Sequence, residues 1–245
     1  MFLDLPSIET KPRSQGLTCL IDSGQPVEAF ADTIKTFSRY IDYVKFGWGT
    51  GVVTPRLEEK IACLRENQVG FWFGGTLFEI SYRQNRLTEM VEWVKGLGGK
   101  HFEISDGAIP LESAEKLRLI ADLAQDFTVL SEVGSKDTTT IMSPARWIEA
   151  INRELDAGAW KVVAEGRESG TAGIFRDTGE IRAGLILEIV ESGIDINNIL
   201  FEAPKKSQQV WLIKTLGCRV NLCNVAFADP LNLTTLRLGL RFDTM

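Results

Sequence analysis

Eight short apolar runs, each closed by a polar or glycine-rich turn and alternating with stretches of helical spacing, predict a single (β/α)8 TIM barrel. The length of 245 residues agrees, because barrels of this class run to about 250 as one domain. A third observation separates this fold from an open doubly wound sheet. That architecture usually carries G-x-G-x-x-G after its first strand, whereas here Asp22-Ser23-Gly24-Gln25-Pro26 follows. Residues 1–245 read as one domain, since no linker, low-complexity segment or internal repeat breaks the alternation.

The expected strands are GLTCLID (16–22), YVKFGWG (43–49), GFWFGG (70–75), HFEISDG (101–107), FTVLSEVG (127–134), WKVVAEG (160–166), NILFEAP (198–204) and RVNLCNV (219–225). Most are rich in Val, Ile, Phe or Leu over a few residues, as parallel strands covered on both faces are. Between them, Leu57, Ile61 and Leu64 repeat at helical spacing, as do Trp147, Ile148, Ile151 and Leu155. Ile181, Leu185, Ile186, Ile189 and Val190 would line one face of a third helix. Thr54-Pro55 and Ser143-Pro144 offer an N-cap followed by proline in the first turn, and Gly158, Gly193 and Gly217 follow last turns.

Bulk properties exclude several function classes. A net charge of −6 argues against nucleic-acid or anionic-membrane binding, which Lys and Arg drive, although it leaves room for a local basic pocket. Cys19, Cys63, Cys218 and Cys223 are scattered and His101 is the only histidine, so neither a structural zinc site nor a disulfide framework is expected. MFLDLPSIETKPR lacks the pattern of a signal peptide, and no apolar run approaches the ~20 residues needed to span a bilayer. A cytoplasmic protein with reduced thiols is expected, acting on small molecules and assembling as a homo-oligomer. The serines show no G-x-S-x-G elbow. His101 and the six tryptophans, Trp48 included, read as packing residues.

In a barrel of this kind the site lies at the C-terminal ends of the strands. Those ends carry Asp22, Lys45, Gly74-Gly75-Thr76, Glu103, Ser105 and Asp106, Glu132 and Lys136, Glu165, Arg167 and Glu168, Glu202 and Lys205, and Asn221 and Asn224. Carboxylates in buried strands need a cation, because desolvating an unpaired charge costs several kcal/mol. They therefore read as partners of Lys and Arg, or as ligands of a hard ion, for which oxygen donors suit Mg²⁺. Lys45, flanked by apolar residues, either pairs with a neighbouring carboxylate or has a lowered pKa suited to Schiff-base chemistry. Arg167 is read either as an anion clamp or as a salt-bridge hub for the flanking glutamates. Gly74-Gly75-Thr76 before a helix offers main-chain N–H groups as a phosphate or carboxylate cradle.

Nine segments, in order, resemble the phosphosulfolactate synthase family: KPRSQGLTCLIDSG, YIDYVKFGWGT, FWFGGTLFE, FEISDG, LSEVGSKD, EGRESG, FEAPKKSQQ, VNLCN and LRLGLRFDT. They run from about Lys11 to Thr244. The resemblance implies a carbon–sulfur lyase that adds sulfite to phosphoenolpyruvate with Mg²⁺, giving (2R)-phospho-3-sulfolactate. In methanogens this reaction opens coenzyme M biosynthesis, and in bacteria it leads to sulfolactate. With chemistry and position, it suggests Mg²⁺ on a subset of Glu103, Glu132 and Glu165, and Lys136 as proton donor with Lys45 second. Arg167, Gly74, Gly75, Thr76, Asn221 and Asn224 would hold the anionic substrate. The chain departs from the family's pattern at Ser23, at Gly166 in EGRESG, and at Cys223, where a glycine is usual and a close backbone approach to phosphate is expected. Two alternatives stay open: a lysine Schiff-base aldolase built on Lys45, and a family member with another substrate or a stress-related, non-catalytic role.

Overall fold

The computed structural model describes residues 2–136 and 141–245. Asp137, which closes the LSEVGSKD segment, lies outside them. Strands and helices alternate from end to end. In order they are β1 (Thr18–Asp22), α1 (Val27–Phe37), β2 (Tyr43–Phe46), α2 (Thr50–Val53), α3 (Leu57–Glu66), β3 (Gly70–Phe73), α4 (Gly75–Arg83), α5 (Leu87–Gly96) and β4 (His101–Ile104). The second half contributes α6 (Ser113–Leu123), β5 (Thr128–Val133), α7 (Pro144–Asp156), β6 (Lys161–Ala164), α8 (Ala183–Glu191), β7 (Ile199–Glu202), α9 (Lys206–Leu216), β8 (Leu222–Ala226) and α10 (Pro230–Arg237). Each expected apolar run contains or overlaps one strand. Among the described residues no helix is long and apolar enough to cross a membrane.

The eight strands form one parallel sheet in the order β3-β2-β1-β8-β7-β6-β5-β4, which curls into a nearly closed barrel. Among the described residues no ladder joins β3 to β4. Side chains bridge that seam instead: Trp72 Nε1 of β3 donates to Glu103 Oε2 of β4 at 2.6 Å. The barrel is filled, not hollow. Cys19, Trp72, Leu130, Val163, Leu200 and Cys223 form one buried interior cluster with Leu17. A larger apolar cluster fills the space between the sheet and its helices.

Strand periodicity explains how this interior becomes polar. Successive side chains alternate faces, so two residues beyond Leu130, Val163 and Leu200 come Glu132, Glu165 and Glu202. Each continues its strand's inward row one layer nearer the C-terminal end. Strand β8 breaks the rule. Its register against β1 runs Thr18 to Leu222 and then Leu20 to Val225, one extra residue on β8. This bulge holds Asn224 at φ +56°, in the left-handed region. Cys223 and Asn224 can therefore both serve the interior, one in the apolar layer and one in the layer above it.

The helices differ from expectation at three residues, two of them at boundaries. Thr54 does not cap α3; its hydroxyl donates to Thr50 O at 2.7 Å, finishing α2, and Arg56 precedes the helix at φ +58°. Ile181 lies before α8, bridged to Phe175, because the β6–α8 connection folds back on itself. Val190, on the same expected stripe, is 37% exposed. Elsewhere the signals hold. Ser143 and Pro144 open α7, and Gly158, Gly193 and Gly217 take φ of +112°, +86° and +94° just past their helices, where a side chain would be strained.

Candidate active site

At the C-terminal end of the barrel the polar layer floors a cavity of about 300 Å³. Lys45, Glu103, Glu132, Lys136, Glu165, Arg167, Glu202 and Asn224 line it, with Gly74, Gly75 and Thr76 on one side and Trp48 at the mouth. The four glutamates are no more than 2% exposed. Three of them are held by main-chain N–H groups of the surrounding loops. Gly75 N donates to Glu103 Oε1, Gly166 N to Glu202 Oε2 at 2.9 Å, and Arg167 N to Glu165 Oε1 at 2.6 Å. Oriented dipoles of this kind make burial of a carboxylate tolerable and keep its orientation rigid.

Two lysines enter the same layer. Lys45 Nζ lies 2.9 Å from Glu202 Oε1, 3.1 Å from Glu103 Oε1 and 3.9 Å from Glu132 Oε2. Burial alone would lower its pKa, but Glu103 and Glu202 outweigh burial and hold it well above the ordinary lysine value. Of the two sequence-level readings of Lys45, the carboxylate-paired one is the observed one. Lys136 Nζ lies 2.8 Å from Glu132 Oε1, 2.9 Å from Ser105 Oγ, 3.3 Å from Glu79 Oε1 and 3.8 Å from Glu165 Oε2. It too is raised, because Glu132, Glu165 and Glu79 overcome the burial that opposes its charge.

The carboxylates respond unequally. Burial, reinforced by the Glu132 and Glu202 charges, pushes Glu165 well above the usual range. Burial also raises Glu103, against the pull of Lys45. For Glu132 burial works in the same direction, yet Lys136 and Lys45 overcome it and hold the group low. The reason is arithmetic. Among the described residues five buried carboxyl groups, counting Glu79, face two lysines, so the site holds more carboxyl groups than its own lysines can pair.

Those positions single out a cation-type group. Glu132, Glu165 and Glu202 each place one carboxylate oxygen within 4.8 Å of the others. Glu165 Oε2 is buried without a hydrogen-bond partner among the described residues, Lys136 Nζ standing 3.8 Å away. Hard oxygen donors, an unmet lone pair and surplus negative charge fit a divalent cation such as Mg²⁺. Glu103 does not belong to this group, although sequence position nominated it with Glu132 and Glu165. Both of its oxygens are engaged, by Trp72 Nε1 and by Gly75 N with Lys45. Glu202 takes its place. The same signal, a carboxylate ending an apolar run, was present in Ile199-Leu200-Phe201-Glu202.

Several candidate substrate groups have other duties. The Gly74–Thr76 turn lines the cavity, but two of its N–H groups are already engaged: Gly74 N donates to Phe46 O at 2.9 Å and Gly75 N to Glu103. Its glycines answer to packing, since a Cβ on Gly75 would collide with Ser105 Cβ and one on Gly74 would sit 3.1 Å from Lys45 Cε. Asn221 is at the opposite end of the barrel, because β8 begins only at Leu222. There its Oδ1 accepts from Leu17 N at 3.0 Å and its Nδ2 donates to Asn197 O and Ile199 O. Cys223 does not approach the cavity either; its Sγ lies 3.1 Å from Cys19 Sγ in the apolar layer below. Asn224, by contrast, reaches the cavity through the bulge.

Arg167 is at the rim, half-buried, at φ +58°. Its guanidinium forms no ion pair with a glutamate among the described residues, and Nη1 donates to Lys136 O at 3.5 Å. The salt-bridge-hub reading therefore does not hold there. Trp48, expected in the core, is 38% exposed at the mouth, at φ +51° between two glycines. Glu79 was not anticipated, since it sits within α4 and not at a strand end. Its only sequence signal is a charge among the otherwise buried Leu77, Phe78 and Ser81. Asp22 and Lys205 also leave the site. Asp22 pairs with Lys60 at 2.6 Å, and Lys205 is the N-cap residue of α9, its main-chain N–H donating to Gln208 Oε1 at 3.1 Å.

The fold and this charged cavity place the chain in the class of (β/α)8-barrel enzymes that work at the C-terminal face of the strands. Comparison with solved structures supports the architecture: 3-hexulose-6-phosphate synthase superposes with a TM-score of 0.53 at 12% identity, covering 89% of this chain and 98% of that one. The family model for (2R)-phospho-3-sulfolactate synthase (ComA) matches residues 6–243, and the chain belongs to that family. Phosphosulfolactate synthase of Bacillus subtilis is 47% identical over 244 residues, 99% of this chain and 97% of the relative. The enzyme of that name from Methanocaldococcus jannaschii is 41% identical over 236 residues, 94% of each chain.

Proposed function

We propose that this chain adds sulfite to phosphoenolpyruvate, in the presence of Mg²⁺, to give (2R)-phospho-3-sulfolactate. One observation carries the reading: an ammonium held in its charged state, Lys136, shares a single cavity with a carboxylate triad suited to a divalent cation. The reaction calls for these two elements. Sulfur attacks the methylene carbon of the enolpyruvate, a C–S bond forms, and the electron pair of the double bond moves to C2 and into the carboxylate. A proton must then reach C2.

Each residue has a part in that sequence. Mg²⁺ bound through Glu132, Glu165 and Glu202 would supply positive charge to the carboxylate on which the electrons accumulate. Lys136 donates its proton from Nζ to C2 and is left as a neutral amine, to be recharged from solvent. Lys45, tied to Glu202 and Glu103, keeps two of the glutamates apart and partly neutralised. Arg167 at the rim meets the phosphate or the incoming sulfite, and Asn224 offers an amide to the bound anion.

The competing chemistry built on Lys45 is disfavoured by its setting. A Schiff base needs a neutral amine, and Lys45 is surrounded by carboxylates that stabilise its charge. A non-catalytic role is disfavoured by the retained excess of buried charge, which a protein with no ligand for it would gain stability by losing. Incubation of the purified chain with phosphoenolpyruvate, sulfite and Mg²⁺, followed by mass spectrometry, is the direct test. Formation of the phosphosulfonate that stops on chelation with EDTA is the expected result. A folded protein that makes none removes the proposal.

A further inference from the structure

We propose that Glu79 and Ser105 are positioning residues that aim the Lys136 ammonium at the reacting carbon, an inference that rests on the proton-donor role given to Lys136 above. Neither residue lines the cavity. Both act through Lys136, and the geometry that ties them to it is unusually complete.

A lysine ammonium has three N–H donors. Those of Lys136 have three close acceptors: Glu132 Oε1 at 2.8 Å, Ser105 Oγ at 2.9 Å and Glu79 Oε1 at 3.3 Å. Ser105 Oγ lies 2.7 Å from Glu79 Oε1 and 2.6 Å from Glu132 Oε1, but its single proton can serve only one of them. The hydroxyl therefore bridges two carboxylates that both face the ammonium. Transfer to substrate requires that one N–H leave its partner, and the longest contact, to Glu79, is the one most readily given up.

Glu79 ties α4 to the end of β4 and the loop after it, yet leaves part of its polar capacity unused. Its Oε1 collects Ser105 Oγ, Ala108 N at 3.0 Å and Lys136 Nζ, while its Oε2 is buried with no hydrogen-bond partner among the described residues. A buried carboxylate with one oxygen unmet carries a desolvation cost that an apolar residue would avoid. What the cost secures is a negative charge on a rigid helix behind the ammonium. Two glycines make room for the arrangement. Gly75 lacks the Cβ that would strike Ser105, so the end of β4 can approach α4. At Gly107 a Cβ would sit 3.0 Å from Lys136 Cγ, so the lysine stem lies against the β4–α6 loop. Stem and head are thus fixed from two different elements.

The test combines turnover with a measurement that needs no substrate. Glu79→Gln keeps the acceptor for Ser105 and Ala108 but removes the charge; Ser105→Ala removes the bridge, and Ser105→Thr keeps it. In the full-length protein the first two are expected to lower kcat about ten-fold with KM for phosphoenolpyruvate within two-fold. They should also yield product of mixed configuration at C2, because a misaligned donor lets solvent protonate either face. Ser105→Thr should keep a single configuration. In protein labelled with 15N-lysine, the Lys136 ammonium signal, assigned by its loss in Lys136→Met, should exchange its hydrogens at least five-fold faster in Glu79→Gln and Ser105→Ala. Wild-type exchange in both variants overturns the inference, as does unchanged kcat with full stereochemical purity. If the wild-type chain makes no sulfonate, the proposed reaction fails first, and exchange alone decides the positioning.

Discussion

The two ends of the barrel bury charge in opposite ways. At the N-terminal end, beside the buried Arg13–Asp42 pair at 2.9 Å, cations are met by main-chain carbonyls. Arg237 donates to Cys218 O, Val220 O and Leu17 O at 2.6 to 3.1 Å, and Lys161 to Ser14 O and Asn197 O. Asn221 is saturated in the same manner. Around the cavity at the C-terminal end, five described carboxylates share two lysines. Glu79 and Glu165 each have an oxygen without a hydrogen-bond partner among the described residues, as Arg237 has its Nε at the other end. One end spends its polar groups on tying strands and termini together. The other keeps an imbalance that stabilises nothing unless a cation or substrate enters. This contrast locates stability and chemistry at separate ends, as the architecture generally does.

The contrast can be broken or sharpened by mutation. The largest effect should come from Lys136→Met, which removes the proton donor. A general acid contributes about 10² to 10⁴ in rate, so steady-state kinetics should show kcat reduced by that order with the fold intact. Next, Glu165→Gln should weaken Mg²⁺ binding by about 10- to 100-fold, read by calorimetric titration. Glu103→Gln should weaken it less, because that carboxylate serves Trp72, Gly75 and Lys45. Glu165→Gln should also raise the melting temperature of the metal-free protein by a few degrees, about 2–4 °C per kcal/mol relieved in a chain of this size. A fall in melting temperature would refute the claim that the upper layer is overcharged.

Asn221→Ala should do the reverse. Losing its three hydrogen bonds to buried backbone is expected to cost about 2 kcal/mol in denaturant unfolding, while kcat of the folded protein stays within two-fold. A large drop in kcat would restore Asn221 to the site. The smallest effect concerns His101, also at the N-terminal end, whose ring packs against Tyr43, Trp72 and Trp160. Burial, helped by the Lys100 charge, lowers its pKa to about 4. The unfolded chain, near 6.5, takes up the proton first on acidification. Stability from neutral His101 is therefore present above about pH 6.5 and lost as pH falls toward 4. His101→Phe should flatten the melting-temperature profile over that window, and an unchanged slope would remove His101 as its source.

How far the site was legible follows from how local each signal is. Glu132, Glu165 and Glu202 announce themselves because a charge that closes an apolar run has no apolar purpose, and strand alternation carries all three to one face. The assignment of Asn221 failed by a register error. Reading β8 from Arg219 put Asn221 inside the strand, whereas the strand starts at Leu222 and a bulge delivers Asn224 instead. The Gly74–Thr76 turn, which does line the cavity, was ambiguous for a different reason. A glycine pair before a helix looks the same whether it admits a phosphate or a neighbouring strand, and only the position of Ser105 and Glu103 separates the two. Glu79 was invisible because a glutamate in a helix is ordinarily solvated.

By itself, the sequence determined the barrel, its eight strands in order, the end at which chemistry gathers and the family, since these follow from hydrophobic period, segment length and ordered motifs. The tertiary structure alone decided the partners. It gave Lys45 to Glu202 and Glu103, withheld Glu103 from the cation-type triad, and brought Glu79 and Ser105 behind Lys136. Pairings of this kind join residues as far apart as 157 positions, as Lys45 and Glu202 are. They depend on strand register, a bulge and the absence of a Cβ, none of which a periodicity contains.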